Sequence, residues 1–569
     1  MKKRALALFA AAEYLAESHI GWILLLYLTN YFTIVWQNYT QYHDTQLVVL
    51  FLDGIFLFFG VCIYVILLAC IPWRMVRTAL LSLSAVLSAS LAGLEIFAIT
   101  TYQALVGAGI ITAILQTNPQ EAGEFLSMYF GWRSLLSVAV TVLLLVLGWG
   151  WLFRQRLAWP SRRLRNRLFL CLLFAGTISG TLLFRNYMNF ILSGTLDIPP
   201  VSVGQATLTS IENIKAYQKL ASSMENTVEI TENRSDTPQV VFILGEATAR
   251  GRMHLYGYPL ENTPNLDAMA AEGQIAVFRD VISPEGATAA VLRKLFTFAD
   301  AESIAAGQPW YETNNLIDVM NKAGYATHWI SNQESSGIWG NVAQIFANRS
   351  TTKIFTRMRE SHEETTTLDE ALFPLVDEAI AHASGKDFYV IHLMGGHALY
   401  YLRYPYLFTK FLKDDLAAPE NSYDDTKRTE IAQYANAIYY DDFVVSSLIG
   451  KFADRNALVI YLPDHGEEVY DQGSQLAGHV EEHPSRYMLE VPLIIYGSPA
   501  WRETHPEKWQ QICAAVQKPY MTDDMIHTLL NLLDIRTPEY DATKSLIDPS
   551  YNMQRARIVQ GRDYDRAMK

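Results

Sequence analysis

Cysteine is scarce in this chain, which has four among its 569 residues. Cys62, Cys70 and Cys171 lie in strongly apolar runs, so Cys513 is the only cysteine in the more polar remainder of the sequence. This distribution excludes a disulfide framework in the polar part, and with it the class of small secreted domains that disulfides hold together. The polar part must instead be stabilised by an extended hydrophobic core.

Positive charge is also scarce between the apolar runs, apart from one segment. Six arginines fall within residues 154–167, whereas the opposite loops carry Asp44, Glu121 and Glu124, with Arg133 as their only cation. Loops rich in Lys and Arg remain in the cytoplasm because their translocation is costly. The pattern predicts that everything after the next apolar run lies on the far side of a membrane.

Five apolar runs have the length of roughly 20 residues that a membrane-spanning helix requires. The predicted spans are Ile20–Trp36, Val48–Ile71, Ala79–Tyr102, Leu135–Phe153 and Leu168–Phe184. Residues 1–12 resemble a signal peptide, but cleavage there would invert every later loop and leave the arginines on the wrong side. We therefore expect an uncleaved N-terminus and a multi-pass membrane protein.

Beyond about Phe190 no run is long enough to span a membrane, and acidic residues dominate, giving the chain a net charge of −13. The predicted organisation is a membrane domain over residues 1–195, a linker with a bridging helix over 196–239, and a catalytic domain over 240–569. The last segment is long enough for one large α/β domain.

Three apolar runs of strand length in this domain end in polar residues. Val240–Leu244 leads to Glu246, Phe388–Ile391 leads to His397, and Ala457–Leu462 leads to Asp464 and His465. Apolar runs that alternate with helical patterns favour a parallel sheet covered on both faces. Ligands bind beyond the carboxyl ends of such strands, so these side chains are predicted to converge.

The converging groups are carboxylates and imidazoles, which suit zinc or a similar divalent ion. Each residue also has a simpler explanation, because a single Glu after a strand commonly caps a helix and a single His is commonly structural. Three strand ends that carry such residues favour a metal site over capping.

Thr288 is the candidate nucleophile. Residues 284–286 (Pro, Glu, Gly) predict a turn and the following residues predict a helix. A helix N-terminus favours a bound phosphate, and a hydroxyl activated by a metal ion there could attack phosphorus. Thr at a helix start is also a common N-cap, and the local pattern by itself favours that alternative.

Three longer motifs resemble one family. They are GEATARGRMHLYGYPLENTPNLD (245–267), HLMGGHALYYLRYP (392–405) and YLPDHGEEVYD (461–471). They resemble bacterial phosphoethanolamine transferases, which modify lipopolysaccharide and belong to the alkaline phosphatase and sulfatase superfamily. The resemblance implies an α-helical transmembrane domain of five helices, followed by an α/β sulfatase-like domain with a central, mostly parallel sheet.

The resemblance also implies a set of site residues. The family's zinc site matches Glu246, Thr288, Asp464 and His465, with Thr288 as the residue that carries phosphoethanolamine. His397 matches a histidine near the transferred phosphate. His479 matches a further catalytic histidine, although its context AGHVEEHPSRYM departs from the family pattern and His483 competes for the role. One tightly bound zinc ion is expected, and a second remains open.

Two residues of the predicted membrane domain match positions that help to bind the lipid donor. They are Thr117 and Glu121, while Ala113 stands where the family has an asparagine. The implied donor is phosphatidylethanolamine and the implied acceptor is lipopolysaccharide. The implied location is the bacterial inner membrane with the catalytic domain in the periplasm. We expect a monomer among membrane lipids, without a nucleic-acid partner.

The absence of cysteines around Thr288 indicates which branch of the family this chain resembles. Members that modify lipid A have cysteines on both sides of the nucleophilic threonine, whereas residues 283–286 and 292–294 hold none. The chain is closer to the CptA-type branch, which acts on the heptose region of the inner core.

Other functions remain as alternatives, among them transfer to lipid A and a phosphoglycerol-type transferase acting on another envelope glycan. A sulfatase is disfavoured because residues 288–293 (TAAVLR) lack the C/S-x-P-x-R signature. A non-catalytic membrane sensor is disfavoured by the complete set of predicted ligands.

Overall fold

The computed structural model of this chain describes residues 19–41, 47–69, 71–102, 199–222, 228–334, 342–357, 367–471, 476–481 and 483–569, with isolated positions at 106–114 and 474. The fourth and fifth predicted spans, the arginine-rich segment, Thr117 and Glu121 lie outside these residues. The described part divides into two compact units. One contains the described residues up to Ile111 and residues 199–210, and the other contains those from Ile211 onward.

Three helices of the first unit match the first three predicted spans: α1 (Ile20–Gln41), α2 (Leu47–Ala69) and α3 (Arg74–Tyr102). The Asn30 amide of α1 donates a hydrogen bond of 2.7 Å to the Ser88 hydroxyl of α3, a polar contact typical of helices packed in lipid. Among the described residues, one helix, Arg74–Ile99, has both the length and the hydropathy to cross a bilayer. The count of five spans stays a prediction.

The bridging helix, predicted over residues 206–224, is α4 (Pro199–Ser222). It begins seven residues earlier than predicted because Pro199 and Pro200 occupy its first positions, where a missing N–H costs nothing.

A seven-stranded sheet organises the second unit. Its strands are β1 (Gln239–Gly245), β2 (Ile275–Phe278), β3 (Ala326–Glu334), β4 (Thr352–Arg357), β5 (Asp387–His392), β6 (Ala457–Pro463) and β7 (Leu493–Gly497). They lie in the order β2-β7-β6-β1-β5-β3-β4. The five strands from β6 to β4 are parallel, whereas β7 runs antiparallel to both of its neighbours. The predicted mostly parallel central sheet is confirmed.

Helices cover both faces of the sheet. The longer ones are α5 (Pro264–Ala271), α6 (Thr288–Leu295), α7 (Leu372–Ala381), α8 (Asp425–Gly450), α9 (Pro506–Ala515) and α10 (Met525–Leu532). Phe242 and Ile460 share a hydrophobic core with α6 and α10. On the other face the Tyr461 hydroxyl donates to Asp441 of α8 at 2.6 Å. Double coverage explains why the central strands are continuously apolar.

Candidate active site

The carboxyl ends of β1 and β6 bring three of the predicted residues together. Gly245 pairs with Pro463, so Glu246 and the Asp464-His465 pair leave adjacent strands side by side. His465 Nε2 lies 3.3 Å from Glu246 Oε1 and 3.4 Å from Asp464 Oδ2. All three side chains are buried. The two strand ends therefore form one dry, charged cluster at the predicted edge of the sheet.

Thr288 joins this cluster through its hydroxyl. Its Oγ1 atom lies 3.3 Å from both Glu246 Oε2 and His465 Nε2. The N-cap of α6 is Ala287, and Thr288 is the first residue of the helix. The N-cap alternative for Thr288 is wrong, because its hydroxyl is directed into the cluster and the helix has no side-chain cap.

The hydrogen bonds around the cluster leave its electron pairs free to bind a cation. His465 Nδ1 donates to the Gly466 carbonyl at 2.7 Å, so Nε2 carries the lone pair that faces Glu246. Asp464 Oδ1 accepts the backbone N–H groups of Ala247 and His465. Asp464 Oδ2 accepts neither of these backbone N–H groups and lies 3.4 Å from His465 Nε2. This set of oxygen and nitrogen donors fits zinc.

The charge balance of the cluster also favours a bound cation. Burial, together with the nearby Glu246, raises the pKa of Asp464 to about 6. Burial alone would lower the pKa of His465, but the carboxylates of Asp464 and Glu246 outweigh it and raise this pKa to about 10. Two carboxylates in a dry site thus hold a positive charge between them, either as a proton on His465 or as a bound metal ion.

His479 lies beside the cluster. Its ring centroid is 4.1 Å from that of His465, and ligand atoms of Glu246, His465 and His479 all lie within 4.8 Å of one another. By contrast, His483 is exposed, and its backbone N–H donates to Gln560. Of the two competing histidines, the structure brings His479 to the site.

Glu467 holds His479 in place, a role that the sequence did not indicate. Glu467 Oε2 lies 2.8 Å from His479 Nδ1, and the Tyr400 hydroxyl donates to Glu467 Oε1 at 2.9 Å. Burial raises the pKa of Glu467 to about 8 and lowers that of His479 well below its usual range. A carboxyl group behind an imidazole fixes the ring's orientation and directs its other nitrogen toward the site.

His397 lies further out, with its ring centroid 5.9 Å from that of His479. It follows Gly395 and Gly396, which pack against the backbone of Glu246 and Ala247. Gly395 has a φ of 48°, and a Cβ atom there would approach the Glu246 carbonyl to 2.5 Å. The two glycines therefore let the His397 loop approach the metal-ligand turn closely.

Two further residues were not predicted: Gln333 contacts the site, and His392 feels the charge of Asp464. Gln333, in β3, donates to Glu246 Oε2 at 3.2 Å and to the Leu393 carbonyl at 3.1 Å. His392, at the end of β5, is fully buried, and burial lowers its pKa to about 4. Its Nδ1 atom lies 3.3 Å from Ser331 Oγ. Both residues lie at or near the carboxyl end of a strand. Because β5 pairs in parallel with β1, and β3 with β5, these ends lie on the same side of the sheet as Glu246, and this position could have indicated both residues.

A buried ion pair spans the segment that carries Thr288, the candidate nucleophile. Lys294 Nζ donates to Glu285 Oε1 at 2.5 Å, and both residues are about 5% exposed. The second oxygen of Glu285 accepts from Gln560 at 3.1 Å. Glu285 precedes Thr288 by three residues and Lys294 follows it by six, so the pair connects the turn to the last helical turn of α6.

Lys294→Met is expected to lower the free energy of unfolding by about 3 kcal/mol, because it leaves the Glu285 carboxylate buried without its partner. Adding Glu285→Met should restore at least half of that loss. Urea-induced unfolding of the single and double variants measures both values. A loss below about 1 kcal/mol in the single variant would contradict a structural role for the pair.

Comparisons with known proteins add independent findings. Residues 238–535 match the family model described as Sulfatase, and residues 60–193 match the one described as Phosphoethanolamine transferase EptA/EptB. Phosphoethanolamine transferase EptC of Escherichia coli K12 is 30% identical over 82% of this chain and 81% of its own length. Phosphoethanolamine transferase CptA of Salmonella typhimurium is 29% identical over the same shares.

A solved structure covers the catalytic part. It is the C-terminal periplasmic domain of EptC from Escherichia coli in complex with Zn, which is 29% identical with a TM-score of 0.55. The match covers 60% of this chain and 96% of that domain.

Proposed function

The chain belongs to the sulfatase family, as one of its phosphoethanolamine transferases, and we propose that it transfers phosphoethanolamine from phosphatidylethanolamine to the inner core of lipopolysaccharide. The observation that carries this proposal is the approach of the Thr288 hydroxyl to within 3.3 Å of Glu246 and His465. A nucleophile at a helix start, beside a set of metal ligands, suits attack on a phosphodiester.

The proposed first step forms a bond between Thr288 Oγ1 and the phosphorus of the donor. The bond from phosphorus to the glycerol oxygen breaks, and diacylglycerol leaves with a proton. When held by Glu246, Asp464, His465 and Thr288, zinc supplies a lowered pKa for the Thr288 hydroxyl and an electrophilic contact for a phosphoryl oxygen. The helix N-terminus at Thr288 would favour the negative charge on the phosphoryl oxygens.

The proposed second step returns phosphorus to a lipopolysaccharide oxygen. A heptose phosphate or hydroxyl attacks the phosphoethanolamine-threonine, and Thr288 leaves with the proton that the acceptor loses. We propose that His479, oriented by Glu467, moves that proton and that His397 holds a phosphoryl oxygen. Burial and the nearby His465 lower the pKa of His479, so its ring is neutral in the metal-free site.

The inner core is proposed as the acceptor because the chain resembles the CptA-type branch and lacks cysteines around Thr288. We propose one tightly bound zinc ion. We also propose a monomer in the bacterial inner membrane that has its catalytic domain in the periplasm.

Deletion of the gene is expected to remove phosphoethanolamine from the core of lipopolysaccharide, and complementation with the wild type to restore it. Mass spectrometry of separated core and lipid A measures both. If phosphoethanolamine were lost from lipid A while the core stayed unchanged, the acceptor would be lipid A, as in the other branch of the family. Restoration by a Thr288→Ala allele would overturn the mechanism.

A further inference from the structure

One loop of the catalytic unit exposes large apolar side chains. Tyr406 and Leu407 are 88% and 92% exposed, the highest values for large apolar residues in the described part of the chain. Leu412 is 60% and Tyr401 50% exposed. Large exposed apolar groups close together mark binding sites for proteins or membranes.

This loop, residues 398–413, is held in a fixed conformation by its other aromatic residues. Tyr400 and Phe411 are buried, and the backbone N–H of Phe411 donates to Asn436 at 2.8 Å. The Phe408 ring packs against Tyr440, with their centroids 4.9 Å apart. Because these residues fix the loop, Tyr406 and Leu407 remain exposed in the folded protein.

The loop adjoins the active site. It begins directly after His397, and its Tyr400 hydroxyl donates to Glu467, the residue that holds His479. Tyr401, the next residue, points outward. The start of the loop is thus tied directly to the candidate active site.

The loop presents an exposed lysine beside its aromatic residues. Of the cations in residues 398–413, Arg403 is buried and donates to the Ala398 carbonyl, and Lys413 pairs with Asp425, whereas Lys410 is exposed. The Lys410 ammonium lies 5.0 Å from the Phe411 ring centroid and 4.7 Å from that of Tyr439. Tyrosine, leucine and lysine together are the composition of segments that sit at the headgroup level of a bilayer.

We propose that residues 401–412 dock on the bilayer surface that carries the lipid donor, with Tyr406 and Leu407 inserted at the headgroup level. The proposal rests on the proposed function, because it supplies a lipid substrate to the adjacent site. A second copy of the chain fits less well. Four side chains provide far less than the roughly 800 Å² per partner that a stable dimer buries.

The test uses the full-length enzyme with two donors of identical headgroup. One is long-chain phosphatidylethanolamine in vesicles and the other is dihexanoyl phosphatidylethanolamine below its critical micelle concentration. The double variant Tyr406→Ser/Leu407→Ser should lower kcat/KM on vesicles on the order of tenfold, mainly through KM, because membrane binding scales with buried apolar area. Its kcat/KM on the soluble donor should stay within about twofold, since the catalytic groups are untouched.

The matched control is Met553→Ser/Ile558→Ser, which removes two exposed apolar side chains elsewhere on the same unit. It should leave both donors unaffected. Equal losses on both donors, or no loss on vesicles, would overturn the docking proposal. If light scattering showed that the wild type is a dimer and the double variant a monomer, the exposed residues would instead form an interface with a second copy of the chain. A wild type inactive on both donors would refute the proposed function itself.

Discussion

Thr288→Ala is expected to lower kcat/KM for phosphoethanolamine transfer by about 10⁴-fold or more, because it removes the hydroxyl that forms the covalent intermediate in the proposed mechanism. The Thr288 hydroxyl is the one that lies 3.3 Å from both Glu246 and His465. Purified enzyme incubated with donor alone should gain the mass of phosphoethanolamine on the peptide that contains residue 288. The alanine variant should gain none.

Thr288→Ser is the control for this result, since it keeps a hydroxyl at the first position of α6. We expect it to retain measurable transfer and to form the adduct. The alanine variant should keep most of its zinc, because Glu246, Asp464 and His465 remain. An adduct on a different residue of the alanine variant, with more than about 1% of wild-type activity, would show that Thr288 is not the nucleophile.

Asp464→Asn is expected to lower transfer by about 10³-fold and to release zinc, because the amide lacks the charge that a divalent ion requires. In metal-free protein, by contrast, Asp464→Asn should raise the free energy of unfolding. There the wild type confines the carboxylates of Asp464 and Glu246 in one buried site, and burial together with their repulsion raises the pKa of Asp464 to about 6. Removing the Asp464 charge relieves that repulsion and the cost of burial, which together outweigh the lost attraction to His465, since the pKa of Asp464 is raised in spite of it.

Thermal unfolding with and without zinc separates these two effects. Zinc should raise the Tm of the wild type and leave that of Asp464→Asn nearly unchanged, since ligand binding stabilises only the state that binds. In chelator the variant should be at least as stable as the wild type. His483→Asn, at the exposed competitor of His479, is the control and should bind zinc and turn over normally. A variant that keeps full zinc content would exclude Asp464 as a ligand.

The strands that carry the site could be predicted because each is a short, continuously apolar run. Runs such as Val240–Leu244 and Ala457–Leu462 are buried on both faces, which is possible only in the middle of a covered sheet. Parallel strands place the residues beyond their carboxyl ends at the same edge. The meeting of Glu246, Asp464 and His465 therefore follows from the sequence pattern alone.

The residues that support the ligands could not be predicted in the same way. Gln333 and Glu467 act through contacts with residues distant in sequence, Glu246 for the former and Tyr400 for the latter. Their amide and carboxyl groups look like ordinary polar positions until the fold is known. The choice between His479 and His483 likewise depends on the bond to Glu467, not on local spacing.

The start of α6 shows a different limit. An N-cap and a first helical residue differ by one position, and helix ends are the least certain part of any sequence-based prediction. That single position decides whether the Thr288 hydroxyl bonds its own helix or the site. The antiparallel direction of β7 was also not indicated, because an apolar strand carries no mark of its direction.

The Glu285–Lys294 pair bears on how a catalytic unit with the proposed periplasmic location would mature. A covalent link between cysteines forms only when an oxidant is available, whereas opposite charges meet as soon as the chain folds. The segment that carries the proposed nucleophile is thus held by a contact that needs no electron acceptor. We expect this contact to form equally well in a cell envelope deprived of oxygen or of its thiol-oxidising catalysts.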